Sequence, residues 1–137
     1  MGEAICLIRR TVFSASHRIW RADWDAERNR RIFGPNARPI SHGHNYELEV
    51  GVRGTLDPET GMVVDLSWLK QVLDQEIQAR FDHRDLNDDT PYFQDSVPTA
   101  ERVAGVIFEL LDRALPAGLL RFVRLRPVAD LAIEVRR

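Results

Sequence analysis

Between His42 and Val52 the chain alternates with a period of two. His42, His44, Tyr46, Leu48, Val50 and Val52 share one parity, and Asn45, Glu47, Glu49 and Arg53 share the other. Successive side chains of a strand leave opposite faces, so this segment reads as a half-buried antiparallel strand, packed on one side and wetted on the other. The stretch from Ala4 to His17 is rich in β-branched and apolar types, with Ile5, Leu7, Thr11 and Phe13 on one parity. It reads as a second long strand, ending on His17.

The remaining elements follow from spacing and from turn formers. WDAERNRRIF, Trp24 to Phe33, has helical spacing and stops at the breaker pair Gly34-Pro35. Asp57-Pro58-Glu59-Thr60-Gly61 is turn-forming, and the MVVDL run behind it is expected to pair back as the second strand of a hairpin. A helix is expected from about Ser67, carrying Trp68, Leu69, Val72, Leu73 and Ile77. FDHRDLNDDTPYFQDS has no period, and a loop of that length in a small domain points to a site. A second helix starts at Pro98-Thr99, with Val103, Ile107, Leu110 and Leu111 inward, and ends before Pro116 and Gly118. Strands at Phe122 to Arg126 and Leu131 to Arg136 finish the chain.

This order predicts an α+β fold, with two helices on one face of a four-stranded antiparallel sheet. With 137 residues, 44% of them hydrophobic, there is enough chain for one core, so residues 1–137 are read as a single domain. The edges of long strands invite pairing with another subunit, and an oligomer that closes its sheets into a barrel is expected.

Charge and cysteine content narrow the function classes. The 19 basic and 21 acidic residues give a formal charge of −2 without a run of one sign, so no nucleic-acid surface is expected. Cys6 is the only cysteine, which excludes an internal disulfide and a thiolate zinc site and fits a reducing cytoplasm. Cys6 is expected to be a small buried hydrophobe. MGEAICLIRRTVF lacks the pattern of a cleaved leader, and no apolar run reaches membrane length, so a cytoplasmic protein without membrane contact is expected.

His42 and His44, one residue apart on a strand, leave the same face, and their imidazoles can converge on one point. A catalytic zinc takes three protein ligands and keeps a fourth position open, and His17 at the end of the neighbouring strand can supply the third. The competing reading of an isolated His-x-His pair is two ordinary polar residues at a strand start.

FSASHR at 13–18, HGHNYELEV at 42–50, DPETGMVVDLSWLK at 57–70, FDHRDLN at 81–87, TPYF at 90–93 and PTAERVA at 98–104 span nearly the whole chain. In this order and spacing they resemble the 6-pyruvoyl-tetrahydropterin synthases and their bacterial relatives, the 6-carboxytetrahydropterin synthases. The resemblance implies a tunnelling fold, in which three subunits form a barrel of twelve antiparallel strands and two trimers stack as a homohexamer with active sites between subunits. It implies zinc as cofactor, held by His17, His42 and His44, and a pterin as the small-molecule partner. The implied activity is that of a lyase removing triphosphate from 7,8-dihydroneopterin triphosphate, or acting on a related dihydropterin. Asp82 and His83 match the family's proton-relay pair; their other readings are a turn carboxylate and an exposed loop histidine. A buried carboxylate beside the ring would raise its basicity and fix its tautomer. Glu101 matches a carboxylate near the pterin pocket and Thr99 a contact to the ring, while as plain helix residues they are a first-turn acid and an N-cap.

Two places depart from the pattern. The cysteine that the family carries before HGH is replaced by Asn36 on the longer loop spacing, or by Arg38 on the shorter, and neither is a base near neutral pH. The glutamate that anchors the pterin ring in the last hairpin is replaced by Pro127. Glu134 is a weak substitute, more naturally a solvent-facing strand residue. Alternatives to the standard lyase are therefore a homologue with altered pterin chemistry and a non-catalytic pterin-binding protein.

Overall fold

The computed structural model describes residues 4–137; the first three residues of the N-terminal segment lie outside them. β1 (Ile5–His17) and β2 (His42–Gly54) pair antiparallel over their full length, in a register that runs from Ile5 opposite Gly54 to His17 opposite His42. The far edge of β2 pairs with the strand Leu120–Val128, which pairs in turn with Leu131–Arg136, both antiparallel. The far edge of β1 takes a two-residue parallel strand, Arg84–Asp85, drawn from the segment expected to be loop throughout. In chain order these three are β3 (Arg84–Asp85), β4 (Leu120–Val128) and β5 (Leu131–Arg136), and the sheet order is β3-β1-β2-β4-β5. The sheet has four antiparallel strands, the expected number, with one short parallel addition.

The expected hairpin after β2 does not form. Both edges of β2 are taken, one by β1 and the other by β4, so MVVDL has no strand to join. The turn itself is there: the Asp57 carboxylate accepts the N–H groups of Glu59 and Thr60, and the Asp57 N–H donates to the Met62 carbonyl at 2.8 Å. The chain then reaches Asp65, whose carboxylate caps the helix that follows by accepting from the Ser67 and Trp68 N–H groups.

Four helical segments complete the fold. α1 (Ala26–Phe33) starts behind its Asp25 cap and ends at Gly34, at φ 65°, where a side chain is disfavoured. α2 (Leu66–Leu73) widens into a π-helical turn (Asp74–Gln78) and closes as α3 (Ala79–Phe81). α4 (Ala100–Ala114) starts behind Thr99. Leu69, Leu73, Ile77 and Phe81 from one helical run, and Val103, Ile107 and Leu111 from the other, pack on the inward parity of the sheet, where Phe13, Tyr46, Leu48, Val50 and Val123 are buried. Each such side chain contributes about 1.5–3 kcal/mol on leaving water.

The opposite face is not covered by the helices. Cys6, Ile8, Arg10 and Val12 of β1 are exposed there, so Cys6 is not the buried hydrophobe expected: its parity places it on the open face. Charged residues cross this face from strand to strand, with Arg10 on Glu47 at 2.5 Å, Arg124 on Glu49 at 3.3 Å and Arg124 on Glu134 at 2.7 Å. Pro127 is tolerated in β4 because it lies beyond the last pair with β2, where the ladder to β5 also shifts register. Among the described residues, no helix is long and apolar enough to cross a membrane.

Candidate functional site

The register of β1 on β2 builds the site. His17 faces His42 directly, and His44 lies two residues along on the same side of the sheet, above the stacked rings of Phe13 and Tyr46. The Nε2 atom of His17 lies 3.2 Å from Nε2 of His42 and 3.2 Å from Nε2 of His44, and one ligand nitrogen from each ring falls within 4.8 Å of the other two. At the opposite side of the His17 ring, Nδ1 is 2.8 Å from the Pro98 carbonyl, just before α4. A carbonyl only accepts, so Nδ1 carries the proton and Nε2 presents a lone pair to the other two imidazoles.

A metal ion fits this donor set. Two nitrogens bound at 2.0–2.1 Å to a tetrahedral zinc stand about 3.3 Å apart, close to the 3.2 Å that separates His17 Nε2 from each of the other two. Burial holds the His17 imidazole below its ordinary pKa, partly offset by the Pro98 carbonyl, and burial and the neighbouring His42 do the same for His44. Both rings therefore favour the neutral, ligating form. Three imidazoles leave a tetrahedral ion one position for a further ligand. Beneath them the Tyr46 hydroxyl is buried without a hydrogen-bond partner, and burial pushes its pKa up, so it stays neutral.

Asp82 and His83 are adjacent, and both are open to solvent in the single chain. His83 Nε2 is 3.5 Å from Asp82 Oδ2, yet the His83 side chain is 83% exposed and that of Asp82 31% exposed in the single chain. The pair is solvent-screened rather than buried. Asp82 Oδ1 is already occupied, accepting the Ser14 N–H at 2.8 Å. His83 has φ 59°, and its N–H donates to the Ser14 carbonyl at 2.7 Å. A non-glycine residue held there costs about 1–2 kcal/mol, a strain found where a side chain must be aimed. An open cleft of about 480 Å³ has both His83 and His44 in its lining, with Ser14, Gly43, Asn45 and Asp85.

Thr99 is the N-cap of α4, its hydroxyl accepting the Arg102 N–H at 3.3 Å, and Glu101 is an exposed acid of the first turn. Thr99 directly follows Pro98, whose carbonyl meets His17, and Glu101 lies three residues beyond it. The segment that holds Asn36 and Arg38 is pinned beside the metal strand: Ala37 bridges Ile19, and the Arg38 N–H donates to the Ile19 carbonyl at 3.2 Å. Pro127 is buried, and Glu134 is engaged by Arg124 and Arg136.

Two participants escaped the sequence reading. The Pro98 carbonyl carries no signal in its residue type. Asp85 accepts the hydroxyls of Ser16, at 2.8 Å, and Ser41, at 2.6 Å. The serines that meet on it directly precede His17 and His42, but nothing in their spacing names the carboxylate.

A largely antiparallel sheet backed by helices, with three convergent imidazoles at the paired ends of its longest strands, defines an α+β protein with a candidate metal site. The chain belongs to the 6-pyruvoyl tetrahydropterin synthase family, whose model matches residues 6–130. It is 44% identical over 116 residues to the 6-pyruvoyl tetrahydrobiopterin synthase of Homo sapiens, covering 85% of this chain and 80% of that relative. It is 38% identical over 97 residues to a putative 6-carboxy-5,6,7,8-tetrahydropterin synthase of Archaeoglobus fulgidus, covering 70% of this chain and 76% of that relative. The solved Caenorhabditis elegans 6-pyruvoyl tetrahydropterin synthase superposes with a TM-score of 0.92 at 31% identity, covering 99% of this chain and 97% of that one.

Proposed function

We propose that the chain is a zinc-dependent carbon–oxygen lyase acting on 7,8-dihydroneopterin triphosphate or a related dihydropterin. The observation that carries this reading is the convergence of three imidazole nitrogens within 4.8 Å in a chain of this family. His17, His42 and His44 hold the metal, and the Pro98 carbonyl keeps the His17 ring in the ligating tautomer. Zinc, when bound, supplies a Lewis acid for polarising hydroxyl and carbonyl oxygens of the pterin side chain.

His83 moves protons at its imidazole, with Asp82 orienting the ring. The Glu101 carboxylate accepts the adjacent N–H donors of the pterin's amino-pyrimidinone edge, and Thr99 contacts the same ring. The exposure of His83 in one chain fits a site completed by a neighbour. Among the described residues no strand other than β3 pairs with the outer edge of β1 and none with that of β5, and joining such edges head to tail closes three sheets into a twelve-stranded barrel. Two barrels stacked as a homohexamer give active sites between subunits.

A second reading, altered pterin chemistry, is favoured by particular residues. Asn36 and Arg38 stand where the resemblance places a thiolate, Pro127 stands where it places a ring-anchoring carboxylate, and Glu134 is already ion-paired. The test is metal content together with product identity. The lyase reading expects about one zinc per subunit and conversion of 7,8-dihydroneopterin triphosphate with triphosphate release. Zinc-loaded protein that leaves this compound intact sinks it, and a different product from a panel of dihydropterins selects the second reading. Asn36→Cys is expected to raise turnover if only the base has been lost.

A further inference from the structure

Asp85 is the one carboxylate that touches both residues preceding a metal-ligand strand position. Its Oδ2 accepts the Ser16 hydroxyl at 2.8 Å and the Ser41 hydroxyl at 2.6 Å, and those serines directly precede His17 and His42. Its Oδ1 accepts the backbone N–H groups of Asn87, at 3.0 Å, and Asp88, at 3.1 Å. The adjacent backbone is stitched to the same strand, with the Leu86 N–H donating to the Ser16 carbonyl at 2.7 Å. Two hydroxyls and two amides occupy the lone pairs of this carboxylate, so it has no vacant site at which to take a proton from a substrate. The hydroxyls and amides also favour its ionised form against its partial burial. A base would need the opposite arrangement.

We infer that Asp85 is a positioning residue for the metal centre: through Ser16 and Ser41 it clamps the end of β1 to the start of β2 and sets the approach of His17 to His42. His17 and His42 are the last pair of the β1–β2 ladder, where strands fray, and their Nε2 atoms must stay near 3.2 Å to share one ion. Two side-chain hydrogen bonds to one anchored carboxylate hold the strand ends at the point where backbone pairing stops. Groups that hold metal ligands in place typically change affinity by ~10–100-fold when removed.

This inference rests on the reading of the three histidines as a zinc site, and zinc affinity, measured by competition with a chromophoric chelator, separates the two. Asp85→Ala is expected to weaken zinc binding ~10–100-fold, and the double variant Ser16→Ala, Ser41→Ala to do the same with Asp85 intact. Asp85→Asn is expected to recover most of the affinity. Its carbonyl oxygen can keep the two amide bonds, and its NH₂ can donate to the two serine oxygens. At saturating Co(II), the visible d–d band of Asp85→Ala should differ from that of the unsubstituted protein, a change that lost stability alone does not produce. Unsubstituted affinity in Asp85→Ala overturns the inference, as does unsubstituted affinity in the double serine variant, which also covers the case in which Asp85→Ala does not fold. If the unsubstituted chain itself takes up no zinc, the metal reading falls and this inference with it.

Discussion

His17, His42 and His44 stand on two strands of thirteen residues each that pair from end to end, and His17 is only 5% exposed. His83 stands in the turn just before a two-residue strand, at a positive φ, with its ring largely in solvent in the single chain. One chain therefore assembles the proposed metal-ligand set from its own backbone register, while the proposed proton-transfer pair is only aimed. Ligands that share an ion need fixed mutual distances, which a ladder of hydrogen bonds supplies. A proton-transfer group needs access to the substrate, and a loop on a rigid scaffold supplies that.

The sharpest way to break the contrast is to remove one group from each region. His42→Ala deletes a ligand and should lower zinc affinity by more than the ~10–100-fold typical of a supporting residue, with turnover lost as well; chelator competition and product assay read the two together. His83→Ala should leave zinc affinity unchanged and lower kcat by ~10²–10⁴-fold. A fall in zinc affinity with His83→Ala would mean that the two regions are not separate.

Acid should act on the metal end first. The folded chain holds the imidazoles of His17 and His44 below their ordinary pKa of about 6.5, so below that pH the unfolded chain binds protons more readily than the folded one. Metal-free protein should keep its stability above pH ~6.5 and lose it progressively as the pH falls toward the lowered folded values, read as a falling Tm. His17→Gln, which cannot titrate there, should flatten that slope.

The smallest expected effect concerns Thr99. Thr99→Ala should cost about 1 kcal/mol through the lost helix cap, measured by denaturant unfolding. A rise in KM for a dihydropterin beyond that stability loss would add the ring contact to the cap, and an unchanged KM would leave the cap alone.

Much of this was legible in the chain because period and spacing are local. The alternation from His42 to Val52 became β2 with the same residues inward, and the spacing Leu69, Leu73, Ile77 became a buried helix stripe. MVVDL reads as a strand because its apolar content is local, whereas the availability of a free edge on β2 is not. Cys6 reads as buried because a small apolar type says nothing of which face of the sheet the helices cover. For the site, the His-x-His pair marks two of the three converging imidazoles, but neither the Pro98 carbonyl nor the Asp85 contacts have a spacing rule, since both act across more than forty residues of chain.

By itself the sequence determined which residues alternate, where helices begin and which residue types are able to ligate a metal or carry a proton, because propensity, capping and donor chemistry reside in single residues and near neighbours. Only the tertiary structure decided that His17 faces His42, that their nitrogens stand 3.2 Å apart, and that Ser16 and Ser41 meet on one carboxylate. Register is a property of pairs of strands, and a slip of one residue would have turned the same three histidines onto different faces of the sheet.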